Sequence, residues 1–216
     1  MFINEYSLIR FGANMSLIHR HHKKLPKEEL ILLAQRNDYH ALEELIKREQ
    51  KNIYAFFYYL NVEPEDISDL AQEALYRMAK NIKSLREPAK FQSWLNQIMT
   101  NLFYDDMRKK QKKPDILPLD TNANEEISSV IKISEISDKK KLPQENTLAS
   151  ELNNKIISAI HALPEPFRVA IILRELQGLS YEEIAQITQS SIGTIKSRIA
   201  RARNKLQELL RPYLIQ

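Results

Sequence analysis

Apolar residues recur every three or four positions along most of this chain, and the recurrence fails in one long stretch beyond its middle. Between residues 27 and 113 the repeat runs through Leu30, Leu33 and Ala34, then Leu42, Leu45 and Ile46, then Leu70, Ala74, Leu75 and Met78, then Phe91, Trp94, Leu95 and Ile98. Each set falls on one side of a 3.6-residue helix, so four amphipathic helices are predicted. Asn61 to Asp66, with Pro64, separates the second from the third, and Ser84 to Lys90, with Pro88, separates the third from the fourth, because proline lacks the amide that would continue a helix. From Pro114 to about Thr147 the period is lost. Pro114, Pro118 and Pro143 punctuate a stretch rich in Thr, Asn and Ser, which reads as a linker with at most a short strand at Val130 to Ile133. Helical spacing returns from Leu148 to Leu214, with one helix ending near Leu163, another from Pro166 to about Gln177, and a closing pair. The expected fold is all-α: two small helical domains joined by a flexible linker, the C-terminal one containing a helix-turn-helix. The expected boundaries are an N-terminal tail at 1–25, domains at 26–113 and 148–216, and the linker at 114–147.

The closing pair is the most informative stretch. Ile195, Ile199, Ala202, Leu206 and Leu209 share one apolar face. At about 100° per residue, Ser197, Ala200, Arg201 and Asn204 then lie opposite, with Lys196 and Arg203 on one flank and Arg198 and Lys205 on the other. Ser180 followed by Glu183 is a capping box for the first helix, and Thr194 is placed to cap the second. Small Ala185 permits close approach of the two helices, and Gly193 supplies backbone freedom between them. A merely solvated basic face explains the charges, but not the caps, the small residue, the turn and the one-sided cations together. The outward face suits a DNA major groove, with Arg or Lys reaching guanine or phosphate and Ser197 and Ala200 small enough for the helix to sit deep.

Composition narrows the classes. The 216 residues include three glycines and no cysteine, which favours helices and excludes a disulfide framework, a thiol switch and a cysteine nucleophile. Apolar runs such as Ile53 to Leu60 fall far short of the ~18 residues of a membrane span. The N-terminus lacks a secretory signal pattern, so a cytoplasmic protein without membrane insertion is expected. The net charge of +4 is unevenly spread: 19 basic against 15 acidic residues in 1–113, 4 against 7 in 114–150, and 9 against 6 in 151–216. No Gly-rich phosphate loop, paired metal-ligand motif or nucleophile elbow is present, so no catalytic residue, metal or cofactor is expected.

A second constellation lies in the first block. Asp69, Gln72, Glu73 and Tyr76 form a polar stripe opposite the apolar face of the third helix, a pattern that a solvated surface also produces. On the fourth, Asn101, Asp105 and Arg108 follow the Phe91, Trp94, Leu95, Ile98 stripe, and Arg108, Lys109, Lys110, Lys112 and Lys113 place five cations in six residues. Such density suits a phosphate backbone. Trp94 reads as a core residue rather than a stacking platform.

The runs DLAQEALYRM from Asp69, FQSWLNQIMTNLFYDDMRKK from Phe91 and LSYEEIAQI with IGTIKSRIARAR in the closing pair occur in order. Together they resemble the extracytoplasmic-function sigma factors of bacterial RNA polymerase. The resemblance covers about Pro26 to Lys113 (region 2) and Leu148 to Leu210 (region 4). It implies a non-enzymatic subunit that takes core RNA polymerase to promoter DNA, with an anti-sigma factor expected to clamp the two domains and a stress or envelope-response regulon expected. By that resemblance Asp69, Gln72, Glu73 and Arg77 match the face that docks on core polymerase. Asn101, with the loop Arg86 to Phe91, matches the part that captures a flipped base of the minus-ten element. Lys90, Asp105, Arg108, Lys109 and Lys110 complete that minus-ten set, because an opened strand needs both a base pocket and cations for its phosphates. Thr194, Lys196, Ser197, Ala200, Arg201 and Arg203 match the minus-thirty-five readers.

The chain departs from the family pattern at several points. Glu87 and Pro88 stand where Gly-Asp is common, and Thr188 and Ser191 stand where a larger apolar residue and a proline are common. The first 25 residues have no counterpart; Met15 is an alternative start, and His19, His21 and His22 read as part of a solvated basic tail rather than a metal site. The competing reading is an ordinary helix-turn-helix repressor or activator whose first block is an effector or dimerisation domain. A polar Asp69/Glu73 face is a poor dimer seam, and residues 27–113 show no ligand-pocket signature.

Overall fold

The structure, a computed structural model, describes residues 22–112 and 143–214, and every regular element among them is helical. The strand read at Val130 to Ile133, the alternative start Met15, and His19 and His21 lie outside the described residues. The first block contains α1 (Lys27–Gln35), α2 (Tyr39–Tyr59), α3 (Pro64–Asn81), two 3-10 turns at Ile82–Ser84 and Pro88–Lys90, and α4 (Phe91–Lys112). Asp38 starts α2 by accepting hydrogen bonds from the backbone amides of His40 and Ala41, each at 3.0 Å, and Pro64 occupies the first turn of α3, where no amide is needed. Leu45, Ile53, Phe56, Phe57, Ala74, Met78, Leu95 and Met99 are fully buried between these helices. Phe56 and Phe57 meet edge to face at 5.6 Å. Trp94 packs partly buried against this core, 5.9 Å from the Phe91 ring, in keeping with its reading as a packing residue.

His22 departs from the solvated tail that the sequence suggested. It is 5% exposed, its Nε2 lies 3.1 Å from the Asp38 carboxylate, and Arg48 donates hydrogen bonds to the carbonyls of His22, Lys23 and Leu25. Burial works to raise the Asp38 pKa, but the amide of Ala41 and the imidazole of His22 outweigh it and hold the carboxyl below its ordinary range. The partner lies sixteen residues away, beyond any local spacing rule.

The second block contains α5 (Pro143–His161), α6 (Glu165–Ile171), a π-helical turn at Ile172–Leu176, α7 (Tyr181–Ile187) and α8 (Ile192–Leu214). α5 begins at Pro143, five residues before the expected start of this domain. The π turn leads into Gly178, whose φ of +71° is a left-handed conformation that favours glycine. The Ser180–Glu183 capping box forms, with reciprocal bonds of 3.2 and 2.8 Å. At the second helix the structure corrects the sequence reading: Ser191, not Thr194, is the cap, its hydroxyl accepting from the Thr194 amide at 3.0 Å. Gly193 lies inside α8, and the left-handed residue of the turn is Gln189, at φ +51°. Ile184, Ala185, Ile187, Ile195, Ile199 and Ala202 are buried where the pair closes. Each large side chain among them contributes roughly 1.5–3 kcal/mol, which fixes the direction of the opposite, outward face of α8.

The two described helical blocks lie against each other. The imidazole of His161 is hydrogen-bonded to the Tyr58 carbonyl at 2.9 Å, and Arg168 donates to the Leu60 carbonyl at 2.8 Å.

Candidate polymerase and DNA interfaces

The stripe on α3 has the exposure that a docking face needs. Asp69, Gln72 and Tyr76 are exposed, Glu73 and Arg77 partly so, and Arg77 donates to Glu73 at 2.6 Å one turn away. The Lys80 ammonium lies 5.4 Å from the Tyr76 ring centre. The stripe does not stand alone. With α4 it walls a cleft of about 670 Å³, lined by Asp66, Asp69, Glu73, Asp105 and Asp106 against Arg77, Arg108 and Lys109. An excess of carboxylates repels phosphate and attracts a basic protein surface. Asp66 and Asp106 escaped the sequence reading, because their proximity depends on how α3 and α4 pack.

Of the minus-ten set, Arg86, Lys90, Asn101, Arg108, Lys109 and Lys110 are exposed, while Phe91 is not: at 1% exposure its ring belongs to the core, with the Lys27 ammonium 5.7 Å from its centre. Phe91 therefore anchors the loop and is closed to a base. The cations are also less free than their density implied. Lys90 pairs with Glu87 at 3.1 Å and Arg108 with Asp105 at 2.6 Å, while Lys110 reaches back to Asp66 at 2.7 Å and Asp106 at 3.0 Å. Burial opposes the Lys110 charge, but these two carboxylates hold its pKa above the ordinary value. Asn101 opens onto a second cleft of about 330 Å³, shared with Tyr104, Met107 and Arg108 of α4 and with Glu165, Ile187, Thr188 and Gln189 of the other block.

On α8, Lys196, Ser197, Ala200 and Arg201 are exposed side by side. Thr194 faces inward to the cap, its hydroxyl 2.8 Å from that of Ser191. Ser197 donates back to the Thr194 carbonyl, which leaves its face small. Arg203 forks onto Glu175 of the π turn at 2.6 and 3.1 Å, and Arg198 donates to Ser190. Of the predicted readers, Lys196 and Arg201 are exposed cations, while Arg203 is paired with Glu175.

Residues 45–113 match the family described as Sigma-70 region 2, and residues 153–206 match Sigma-70, region 4. The ECF RNA polymerase sigma-E factor of Escherichia coli (strain K12) is 34% identical over 88% of this chain and 98% of its own length. The chain belongs to the extracytoplasmic-function sigma factors. The sigma-E factor of Haemophilus influenzae is 32% identical over 89% of this chain and 99% of its own. Among solved structures, the sigma factor RpoE in complex with the anti-sigma factor NepR from Bartonella quintana aligns with a TM-score of 0.55 at 26% identity, covering 78% of this chain and 96% of that one. CnrH in complex with the cytosolic domain of CnrY, at 20% identity and a TM-score of 0.56, shares the fold over 86% of this chain and 97% of that one. This sigma factor directs RNA polymerase to promoters. Among the described residues no helix is long and apolar enough to cross a membrane.

Proposed function

We propose that the two regions divide promoter recognition between them. Residues 26–113, acting as region 2, bind core polymerase through Asp69, Glu73 and Arg77 of the acidic cleft and through Gln72, exposed on the same helix. The same region opens the minus-ten element with Asn101 as the base-capturing side chain and Arg86, Lys90, Arg108 and Lys109 beside the displaced strand. Residues 148–216 read the minus-thirty-five element with Lys196, Ser197, Ala200 and Arg201. The division rests on charge: the cleft between α3 and α4 carries more carboxylates than cations, whereas the outward face of α8 is small, polar and cationic. The carboxylates of the cleft favour a basic protein surface, and the face of α8 favours DNA phosphate.

The protein performs no catalysis of its own, works in the cytoplasm on a stress or envelope-response regulon, and is held inactive by an anti-sigma factor. That partner is inferred from the NepR complex of the Bartonella quintana relative. Run-off transcription with core polymerase over a genomic library tests the whole reading. Transcripts from templates sharing two spaced elements are expected; DNA binding without transcription indicates a repressor or activator. The Asn101→Ala protein is expected to bind core and duplex promoter normally yet form fewer open complexes, with a pre-melted minus-ten template partly restoring transcription. The expected loss is about 1–3 kcal/mol, the scale of one unpaired hydrogen-bonding site. Normal permanganate reactivity of unstacked thymines in that variant removes Asn101 from the base site.

A further inference from the structure

The loop from Arg86 to Phe91 is held at both ends by α1, a helix that contributes no residue to the proposed interfaces. At the end of α3 the carbonyls lose their helical partners, and the first of them are taken locally. Asn81 donates to the Arg77 carbonyl at 2.9 Å, and Ser84 donates to the Asn81 carbonyl at 2.7 Å. The next two are taken from far away in the chain. Gln35, the last residue of α1, donates from its side-chain nitrogen to the Ile82 carbonyl at 3.0 Å and to the Leu85 carbonyl at 2.7 Å, across 47 and 50 positions. An amide nitrogen has two protons, so each carbonyl receives one of them. Leu85 is where the backbone turns extended, at φ −71° and ψ 109°, and its side chain is buried. The loop therefore starts from a fixed point.

The first turn of α1 fixes the other end. Lys27 pairs with the buried Glu49 of α2 at 2.7 Å, and its ammonium lies 5.7 Å from the centre of the buried Phe91 ring. Between the two anchors the chain is restrained further: Pro88 has a fixed φ, and Lys90 is paired with Glu87 at 3.1 Å. Arg86, Glu87, Ala89 and Lys90 remain exposed. A short exposed segment on a rigid base suits capture of an unstacked base, because unstacking is costly and the groups that receive the base must already be in place.

We propose that α1 is a splint for the base-capture loop and that Gln35 is a positioning residue for minus-ten reading. By holding the Ile82 and Leu85 carbonyls, its amide sets the direction of Arg86 and of the backbone that follows, without touching DNA itself. The splint rests on the sigma-factor reading above, in which this loop receives the flipped base. A loop released at Leu85 has more conformations to lose on binding and adapts to a wrong base, so both affinity and selectivity fall.

The test uses core polymerase reconstituted with the full-length chain. It is titrated with fluorescent single-stranded oligonucleotides carrying the displaced-strand minus-ten element of a promoter found by run-off transcription, with each base changed in turn. Gln35→Met, similar in length but without a donor, is expected to reduce the preference at the captured base by about 5- to 30-fold, the ratio set by the loss of one or two hydrogen bonds. Preferences at the other positions and affinity for core polymerase should be unchanged. Gln35→Lys, which offers donors at similar reach, is expected to restore most of the preference, an outcome that a packing role does not produce. Circular dichroism melting reports folding, and if Gln35→Met does not fold, Gln35→Asn, whose amide stops one methylene short, takes its place in the same titration. Full preference in the folded variant overturns the splint, as does an equal loss at every position or a Gln35→Lys protein no better than Gln35→Met. A wild-type holoenzyme that binds all the oligonucleotides alike overturns the role of the loop and the splint with it, and a wild-type chain that does not bind core polymerase overturns the sigma-factor reading. Those failures appear in the wild type, whereas failure of the splint alone appears in the variants.

Discussion

Reversing the proposed docking face, Asp69→Lys together with Glu73→Lys, should abolish core binding at little cost to folding. The structural cost follows from the side chains involved. Glu73 forms one exposed i,i+4 pair with Arg77 at 2.6 Å, the two side chains being 43% and 39% exposed, and such pairs contribute about 0.3–0.5 kcal/mol. A lysine at 73 beside Arg77 adds like-charge repulsion of similar size. Asp69 is exposed, so its replacement removes no core contact. The total is about 1 kcal/mol, a fall in melting temperature of roughly 2–4 °C for a chain of this length. Two of the five carboxylates in the cleft become cations, and like charges brought together across an interface cost several kcal/mol, so binding should weaken by roughly 100-fold or more. Thermal melting by circular dichroism gives the first quantity, and fluorescence anisotropy of labelled protein titrated with core polymerase gives the second. The defect should shrink as salt rises, because exposed charges are screened over about 10 Å at 0.1 M. Unchanged affinity in a folded variant refutes the docking face, whereas a collapse in melting temperature shows that the carboxylates support the fold instead.

Three further outcomes are expected. Arg201→Ala, assayed in holoenzyme on promoters mutated in the upstream element, should lose about 1–3 kcal/mol of base discrimination, and a uniform loss on every sequence would make Arg201 a phosphate contact. Ser180→Ala removes one half of the capping box and should lower stability by roughly 1 kcal/mol in a denaturant titration; an unchanged midpoint means that the box adds nothing. Burial holds the His161 pKa below its ordinary value, with Arg168 adding to the effect and the Tyr58 carbonyl opposing it. The unfolded chain therefore takes up that proton first as pH falls through the ordinary histidine range, so the stabilisation is complete above that range and is lost below it. The melting temperature should drop more for wild type than for His161→Gln between pH 7.5 and 5.5, and equal slopes would exclude this group.

The hydrophobic period and its interruptions determined the helices of the first block, the loop at Ser84 to Lys90 and the helix pair, because a 3.6-residue repeat and a proline act within a few residues of themselves. The Ser180–Glu183 box was legible for the same reason, being two residues three apart whose bonds close locally. The Thr194 reading failed on a local margin, since Ser191 and Thr194 are hydroxyl residues one turn apart and only the backbone decides which amide lies over which hydroxyl. Phe91 ends a loop and begins a stripe, and its choice of the core depended on the helices packed around it. The longer-range facts had no sequence signal of their own. Asp106 and Asp66 meet through Lys110, His22 meets Asp38, and Gln177 meets Asn52 across 125 positions. Periodicity states which side of a helix faces inward, but not which helix it meets or at what height. That choice is made by the packing of side chains from all the helices together, so charges and amides far apart in the chain became partners only in the folded molecule.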